Sequence, residues 1–345
     1  MQIKIDYKTT LPLQGNAPSC IIIEDEQNDY YIEFIDNKTS EIVHSQTFYS
    51  NEKVYGYRQW YCDWLIKIYK DNELIHIDKF DLTNKYVFIK IDGRALGDNL
   101  AWIPYVDEFR KKHNCHILCS AYFNDIFKHV YPDILFFEPN TQAQNVYTQY
   151  YVGAHDNDGI YSPQDSKKIP LQQTACDILG LEYKEVIPNL MKSIDYNTRR
   201  ISGKYVCISE KGSSPKKEWK DLNGWQNVVN FLNSKGYKVV VISKEPTTLQ
   251  NVIDLTGDYP LKERMIDLYY SEFFMGVSSG LSWVAWGCGK PVIMISDCTP
   301  LDHEFQTNMI RIGKNNLESV DYEIEDYTLS EEVITILNHY ISKKN

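Results

Sequence analysis

Asp98 stands one residue after Gly97, in the stretch Val87–Tyr105, where its carboxylate could do acid–base work. A β-branched and aromatic run precedes it. Leu100, Ile103, Val106 and Phe109 follow at three- and four-residue spacing, so the pattern is strand, tight turn, helix. An aspartate there either caps the helix or projects from the turn and accepts a proton from a hydroxyl. Much later, Ser278-Ser279-Gly280 lies between the apolar run Phe273–Val277 and a helical pattern opening at Leu281. Helix N–H groups and the helix dipole favour phosphate at such a turn, glycine lets the backbone come close, and serines add donors. Lys216 and Lys217 follow the strand pattern Tyr205–Ser209, on the same sheet edge. A lysine of that pair could neutralise charge on a departing diphosphate. Asp297, Thr299, Asp302, His303 and Glu304 follow the strand pattern Val292–Ser296 and could line a sugar pocket. An anionic leaving group opposite a carboxylate is the chemistry of group transfer from a nucleotide-sugar. The chain has no Walker loop, no dinucleotide Gly-x-Gly-x-x-Gly and no nucleophile elbow, which argues against the other common chemistries of such a sheet edge.

The elements that must position these groups fall into four parts. Residues 1–84 show short strand patterns (19–23, 30–35, 42–45, 64–69 and 73–77) separated by turn residues, an antiparallel β-rich accessory domain. Residues 85–198 alternate strand and helix, an α/β domain on the acceptor side that includes a long polar loop over 140–168. Residues 199–328 repeat the alternation, with buried strand patterns such as 238–243, and form the donor domain. An amphipathic helix in 329–345 is expected to pack back across the domain boundary. Two α/β halves facing a cleft place ligands at the carboxyl ends of their strands.

Acidic residues outnumber basic ones, 47 to 36, with no long basic run, so extended binding to nucleic acid is not expected. No stretch reaches membrane-spanning length and the N-terminus lacks an apolar signal core, so a cytoplasmic protein is expected. The eight cysteines are scattered without a Cys-x-x-Cys pair, which suits reduced thiols rather than a structural metal site.

Three longer stretches carry a family resemblance: Asp92–His113, Ala175–Leu181 and Ser279–Pro291. With Tyr31–Asp36 and Asp63-Trp64, they make nearly the whole chain similar to the bacterial autotransporter O-heptosyltransferases, a branch of the heptosyltransferases that build lipopolysaccharide cores. The resemblance implies a GT-B fold: two Rossmann-like domains with the β-rich part ahead of them. It further implies inverting, metal-independent transfer of heptose from ADP-heptose to serine hydroxyls of an autotransporter passenger, in the cytoplasm before export. Asp98 falls on the catalytic carboxylate. Lys217 falls on the phosphate-binding lysine of a Lys-x-Trp pattern, and Ser279, Gly280 and Leu281 on the donor-phosphate turn, with Ser278 beside them. Asp302, His303 and Glu304 remain candidates for the sugar pocket. Core-building relatives carry Asp and His where this chain has Ser278 and Trp283, which favours a protein acceptor. The protein-modifying branch carries a four-cysteine iron-binding finger near its C-terminus. No cysteine follows Phe305 here, so neither metal nor cofactor is expected, and a homo-oligomer that depends on the finger is in question. Two alternatives share these residues: a non-catalytic nucleotide-sugar-binding subunit, and a transferase using another sugar and a non-protein acceptor.

Overall fold

The computed structural model describes residues 1–11, 15–142, 144–154, 161–195, 197–212, 214–314 and 327–344, with backbone only at 9–11, 15 and 16. Parts of the loop expected over 140–168, and Ser213 in the lysine loop, lie outside the described residues. Contacts divide the chain into two units. The first holds Met1–Arg94, Trp102–Asn124 and Tyr131–Val186, and the second Ala95–Ala101, Asp125–Val130 and Ile187–Asn345.

In the first unit, β1 (Gln2–Leu11), β2 (Gly15–Ile23) and β5 (Lys53–Tyr55) form an antiparallel sheet in the order β1-β2-β5. Strands β3 (Asp29–Asp36), β4 (Glu41–Tyr49), β6 (Trp64–Lys70) and β7 (Glu73–Lys79) form a second, ordered β4-β3-β6-β7. Its β6–β7 hairpin turns on Asp71 and Asn72, both at positive φ, as a type I′ hairpin turn requires. A parallel sheet follows, ordered β10-β9-β8-β11, from β8 (Tyr86–Ile91), β9 (His116–Ser120), β10 (Ile134–Phe137) and β11 (Thr148–Val152). The sequence pattern does not single out β1, β5 or β11. In β11, Thr-Gln-Tyr-Tyr-Val is too polar to stand out inside a loop-like stretch. Burial of Thr148 supplies what the local pattern lacks: its Oγ1 donates to the Tyr7 carbonyl at 2.9 Å. Tyr7 packs tilted against the stacked pair Phe80 and Tyr147 beside that bond, so the antiparallel strands and the parallel sheet share one core.

Helix α1 (Leu96–His113) follows β8, and its first turn belongs to the second unit. Farther along α1, Phe109 and His113 pack with Tyr61 and Tyr150. Burial pushes the His113 imidazole down to about 4, so it stays neutral in this core. Helix α2 (Asn124–Val130) belongs from Asp125 onward to the second unit, and α3 (Leu171–Ile178) to the first.

The second unit is a six-stranded parallel sheet ordered β14-β13-β12-β15-β16-β17. Its strands are β12 (Tyr205–Ser209), β13 (Lys238–Val241), β14 (Ile253–Asp254), β15 (Phe274–Val277), β16 (Val292–Ile295) and β17 (Met309–Ile312). Every residue of β12, β15 and β16 is buried, as parallel strands covered on both faces must be. Helices α4 (Gly224–Ser234), α5 (Leu261–Tyr270), α6 (Gly280–Gly287) and α7 (Ser330–Lys344) complete it. The apolar stripe of α7, Val333, Leu337 and Ile341, enters one cluster with Trp225, Val228, Val229 and Leu232 of α4. The edge strand β17 is not expected from the sequence, because Arg311 interrupts its apolar run. The class is α/β with antiparallel strands ahead of two parallel Rossmann-like sheets.

Candidate active site

Asp98 is the third residue of α1. Close packing fixes the turn that carries it. A Cβ added at Gly280 would lie 2.8 Å from the Leu96 Cβ, and one added at Gly97 would lie 3.0 Å from Cδ1 of Trp283. Glycine at each position lets the start of α1 rest directly on the start of α6. The carboxylate is half-buried, and no donor among the described residues hydrogen-bonds to it, so helix capping does not occupy it. Burial pushes its pKa above the ordinary aspartate range, and the positive charge of Lys217 partly offsets the rise.

Lys217 closes a single 3₁₀ turn, Pro215–Lys217, held by its N–H to the Ser214 carbonyl at 3.0 Å. A Cβ at Gly212 would meet both the Lys217 Cβ and the Val277 Cγ2 at 3.3 Å, which folds this loop onto the end of β15. The neighbouring carboxylate, Glu218, lies 3.5 Å from Lys211. Among the described residues no carboxylate oxygen comes within 4.0 Å of the Lys217 ammonium. Its charge acts on Asp98, Cys298 and His303 alike. Trp219 is core rather than platform: its Nε1 donates to the Thr328 carbonyl at 2.6 Å and its ring meets Trp225 edge-on.

Ser279 is the N-cap of α6, with extended backbone and no side-chain capping bond. Its Oγ is buried without a hydrogen-bond partner. The first N–H groups of a helix have no intrahelical partner, so Gly280 and Leu281 present two donors beside that hydroxyl. Ser278 differs from its neighbour. Its Oγ donates to Glu304 Oε1 at 2.6 Å, so that proton is already committed. Glu304 is buried and also pairs with Arg311, Asp302 is exposed, and His303 is half-buried with Nδ1 unpartnered. Burial holds the His303 pKa below its usual value. Glu304 works against that shift, and Lys217 adds to it.

The structure thus brings together Asp98, Lys217, the turn 279–281 and His303, and ties Ser278 and Glu304 to each other. Arg311 and the Leu96–Gly280 and Gly97–Trp283 contacts are not expected from the sequence. A lone arginine in the apolar run Met-Ile-Arg-Ile was the available signal for the first, since a buried charge needs a partner.

No protein-family model matches the chain. The autotransporter heptosyltransferase BAHTCr of Citrobacter rodentium is 33% identical over 243 residues, 67% of this chain and 59% of its own length. The autotransporter heptosyltransferase Aah of Escherichia coli is 31% identical over 303 residues, 83% of this chain and 73% of its own. The inactive autotransporter heptosyltransferase BimC of Burkholderia thailandensis is 30% identical over 263 residues, 72% of this chain and 62% of its own. The chain therefore spans 59 to 73% of the length of these relatives. Among solved structures, the iron-containing dodecameric glycosyltransferase TibC of enterotoxigenic E. coli H10407 matches with a TM-score of 0.84 at 22% identity, over 99% of this chain and 96% of TibC. TibC has also been solved in complex with ADP-D-beta-D-heptose.

The iron in TibC corrects the expectation that neither metal nor cofactor belongs here: freedom from metal does not follow from the resemblance. Among the described residues no three His, Cys, Asp or Glu side chains converge as a metal site. Seven cysteines are buried as free thiols, and Cys298 is half-buried. These donors do not fit an iron centre. Among the described residues no helix is long and apolar enough to cross a membrane. With Aah 31% identical across most of both chains, this chain belongs to the autotransporter heptosyltransferase family.

Proposed function

We propose that this chain transfers heptose from ADP-heptose to serine hydroxyls of an autotransporter passenger, with inversion at the anomeric carbon. Family membership supports the donor and the class of acceptor. The observation that carries the chemistry is the half-buried Asp98 carboxylate, free of capping duty, under the influence of Lys217 and packed through Leu96 onto Gly280 of the donor turn. In the proposed reaction the serine oxygen attacks the anomeric carbon from the side opposite the diphosphate, and Asp98 takes the hydroxyl proton. The bond from the anomeric carbon to the diphosphate oxygen breaks, and its electron pair leaves with ADP. Lys217, the Ser279 hydroxyl and the N–H groups of Gly280 and Leu281 receive that charge, a preorganised set of the kind that stabilises developing anions. A raised aspartate pKa suits the base, since it strengthens proton acceptance near neutral pH.

Purified protein, ADP-heptose and a purified passenger should yield ADP in step with a mass gain of one heptose per modified serine. Binding of ADP-heptose without ADP release, with passenger present, would instead support the non-catalytic subunit, a reading that the inactive relative BimC keeps alive. A thermal-shift panel of ADP-, UDP-, GDP- and dTDP-sugars tests the donor separately, because a ligand bound only by the native state raises the melting temperature.

A further inference from the structure

Glu304 lies in the loop between β16 and β17 and is a sequence candidate for touching the sugar. Its surroundings point elsewhere. Oε1 accepts from Ser278 Oγ at 2.6 Å and from Thr299 Oγ1 at 2.9 Å, and Oε2 lies 3.1 Å from Nη1 of Arg311. Thr299 in turn shares a 2.8 Å hydrogen bond with Ser296. The Arg311 guanidinium also donates to the carbonyls of Ser296, Thr299 and Pro300. The side chains of Glu304 and Arg311 are 1% and 7% exposed, so neither has room for a substrate group.

The network ties together the carboxyl ends of β15 and β16, the loop between β16 and β17, and the edge strand β17. A buried ion pair is a weak source of net stability, since desolvation consumes much of its attraction. What it supplies is direction: an acceptor fixed in place by a rigid fork. That acceptor grips Ser278. The next residue, Ser279, carries a buried hydroxyl with no partner, and the residue before Glu304, His303, carries a buried, unpartnered Nδ1. Ser278 and Glu304 thus each adjoin an orphaned polar atom along the chain, and within the clamp the Nε of Arg311 is also buried without a partner. An unsatisfied buried donor is costly unless something else completes it.

We infer that Glu304, held by Arg311, is a positioning residue that fixes Ser278 and thereby aims the Ser279–Leu281 turn at the donor diphosphate. The inference rests on the donor reading given above. Ser278 then contributes through its bond to Glu304 and not by contact with phosphate.

The test compares Ser278→Ala, Glu304→Gln, Thr299→Ala and the Ser278→Ala/Glu304→Gln pair in the full chain. Calorimetry gives ADP affinity, and transfer kinetics give KM and kcat for ADP-heptose. Ser278→Ala and Glu304→Gln should each weaken ADP binding about tenfold, the worth of a hydrogen bond to a charged group. Each should also raise the donor KM by more than it lowers kcat. The pair should be no worse than the worse single variant, because Glu304→Gln removes the charge from the same bond that Ser278→Ala deletes. Thr299→Ala removes the other bond to the same oxygen and should leave ADP affinity within about twofold. Equal losses from Thr299→Ala and Ser278→Ala, additive losses in the pair, or unchanged affinity in Ser278→Ala would each overturn the positioning role. Ser278→Ala keeps the buried ion pair intact, so it gives an answer even if Glu304→Gln does not fold. Failure of the unaltered protein to bind ADP would remove the donor reading itself, and the inference with it.

Discussion

The methyl group that Gly280→Ala would add has nowhere to go. Its carbon would stand 2.8 Å from the Leu96 Cβ and 3.2 Å from the Leu96 Cγ and Cδ2, where ordinary contact begins at 3.4 Å. The nearest atom is a Cβ, close to the backbone, so rotation of the leucine side chain cannot relieve it. The turn holding Asp98 and the turn holding Ser279 must separate by about 0.6 Å. A displacement near 1 Å at reacting groups costs ~10²-fold in rate, so about tenfold is expected in kcat/KM for ADP-heptose. Overpacking should also lower stability by ~1–3 kcal/mol. Leu96→Gly removes all three of these leucine atoms. Combined with Gly280→Ala it should recover most of the lost rate, although a glycine in the first turn of a helix keeps a penalty of ~1 kcal/mol. The assay is ADP release at fixed passenger and varied donor, with urea unfolding alongside. Full activity in Gly280→Ala, or no recovery in the double variant, would refute the claim that these two turns work in contact.

Lys217→Ala should weaken ADP binding by calorimetry, and equal affinity would remove the lysine from the site. The same variant should move the acid limb of the pH–rate profile upward: the ammonium favours the Asp98 carboxylate, so its loss lets burial raise that pKa further and the base form appears only at higher pH. A limb that stays in place would mean that Asp98 is not the titrating group. Leu337→Ala, fully buried between α7 and the second-unit core, should cost ~2–5 kcal/mol in urea unfolding without changing the ADP affinity of the folded fraction. A loss under ~1 kcal/mol would show that α7 contributes little to that core.

Much of the donor sheet was legible because its strands are covered on both faces and stand out as unbroken apolar runs, as in Val239–Val241 and Val292–Ile295. The organising turn at Asp98 and the turn at Ser279 announced themselves through a change of apolar period beside glycine. What stayed hidden depends on contacts far along the chain. Strand β11 is a strand because it pairs in parallel with β8, Thr148 opposite Val87 through Val152 opposite Ile91, and no local pattern encodes that pairing. Ser278 and Ser279 look alike in sequence, yet one is committed to Glu304 and the other is left unpartnered. The acidic residues after β16 share one loop but not one role: Asp302 is exposed, while Glu304 lies under Arg311. The metal expectation failed for another reason. It joins the scattered cysteines of this chain to a metal-independent reaction implied by the resemblance, and the iron in TibC shows that the resemblance implies no such freedom.

Asp98→Asn keeps the shape of the side chain and removes its capacity to take a proton. With saturating ADP-heptose and passenger, kcat should fall at least ~100-fold, the usual worth of a positioned general base, while ADP affinity stays nearly unchanged. Transfer at the unaltered rate would show that the carboxylate at the start of α1 is not the base, and the account of the site would fail with it.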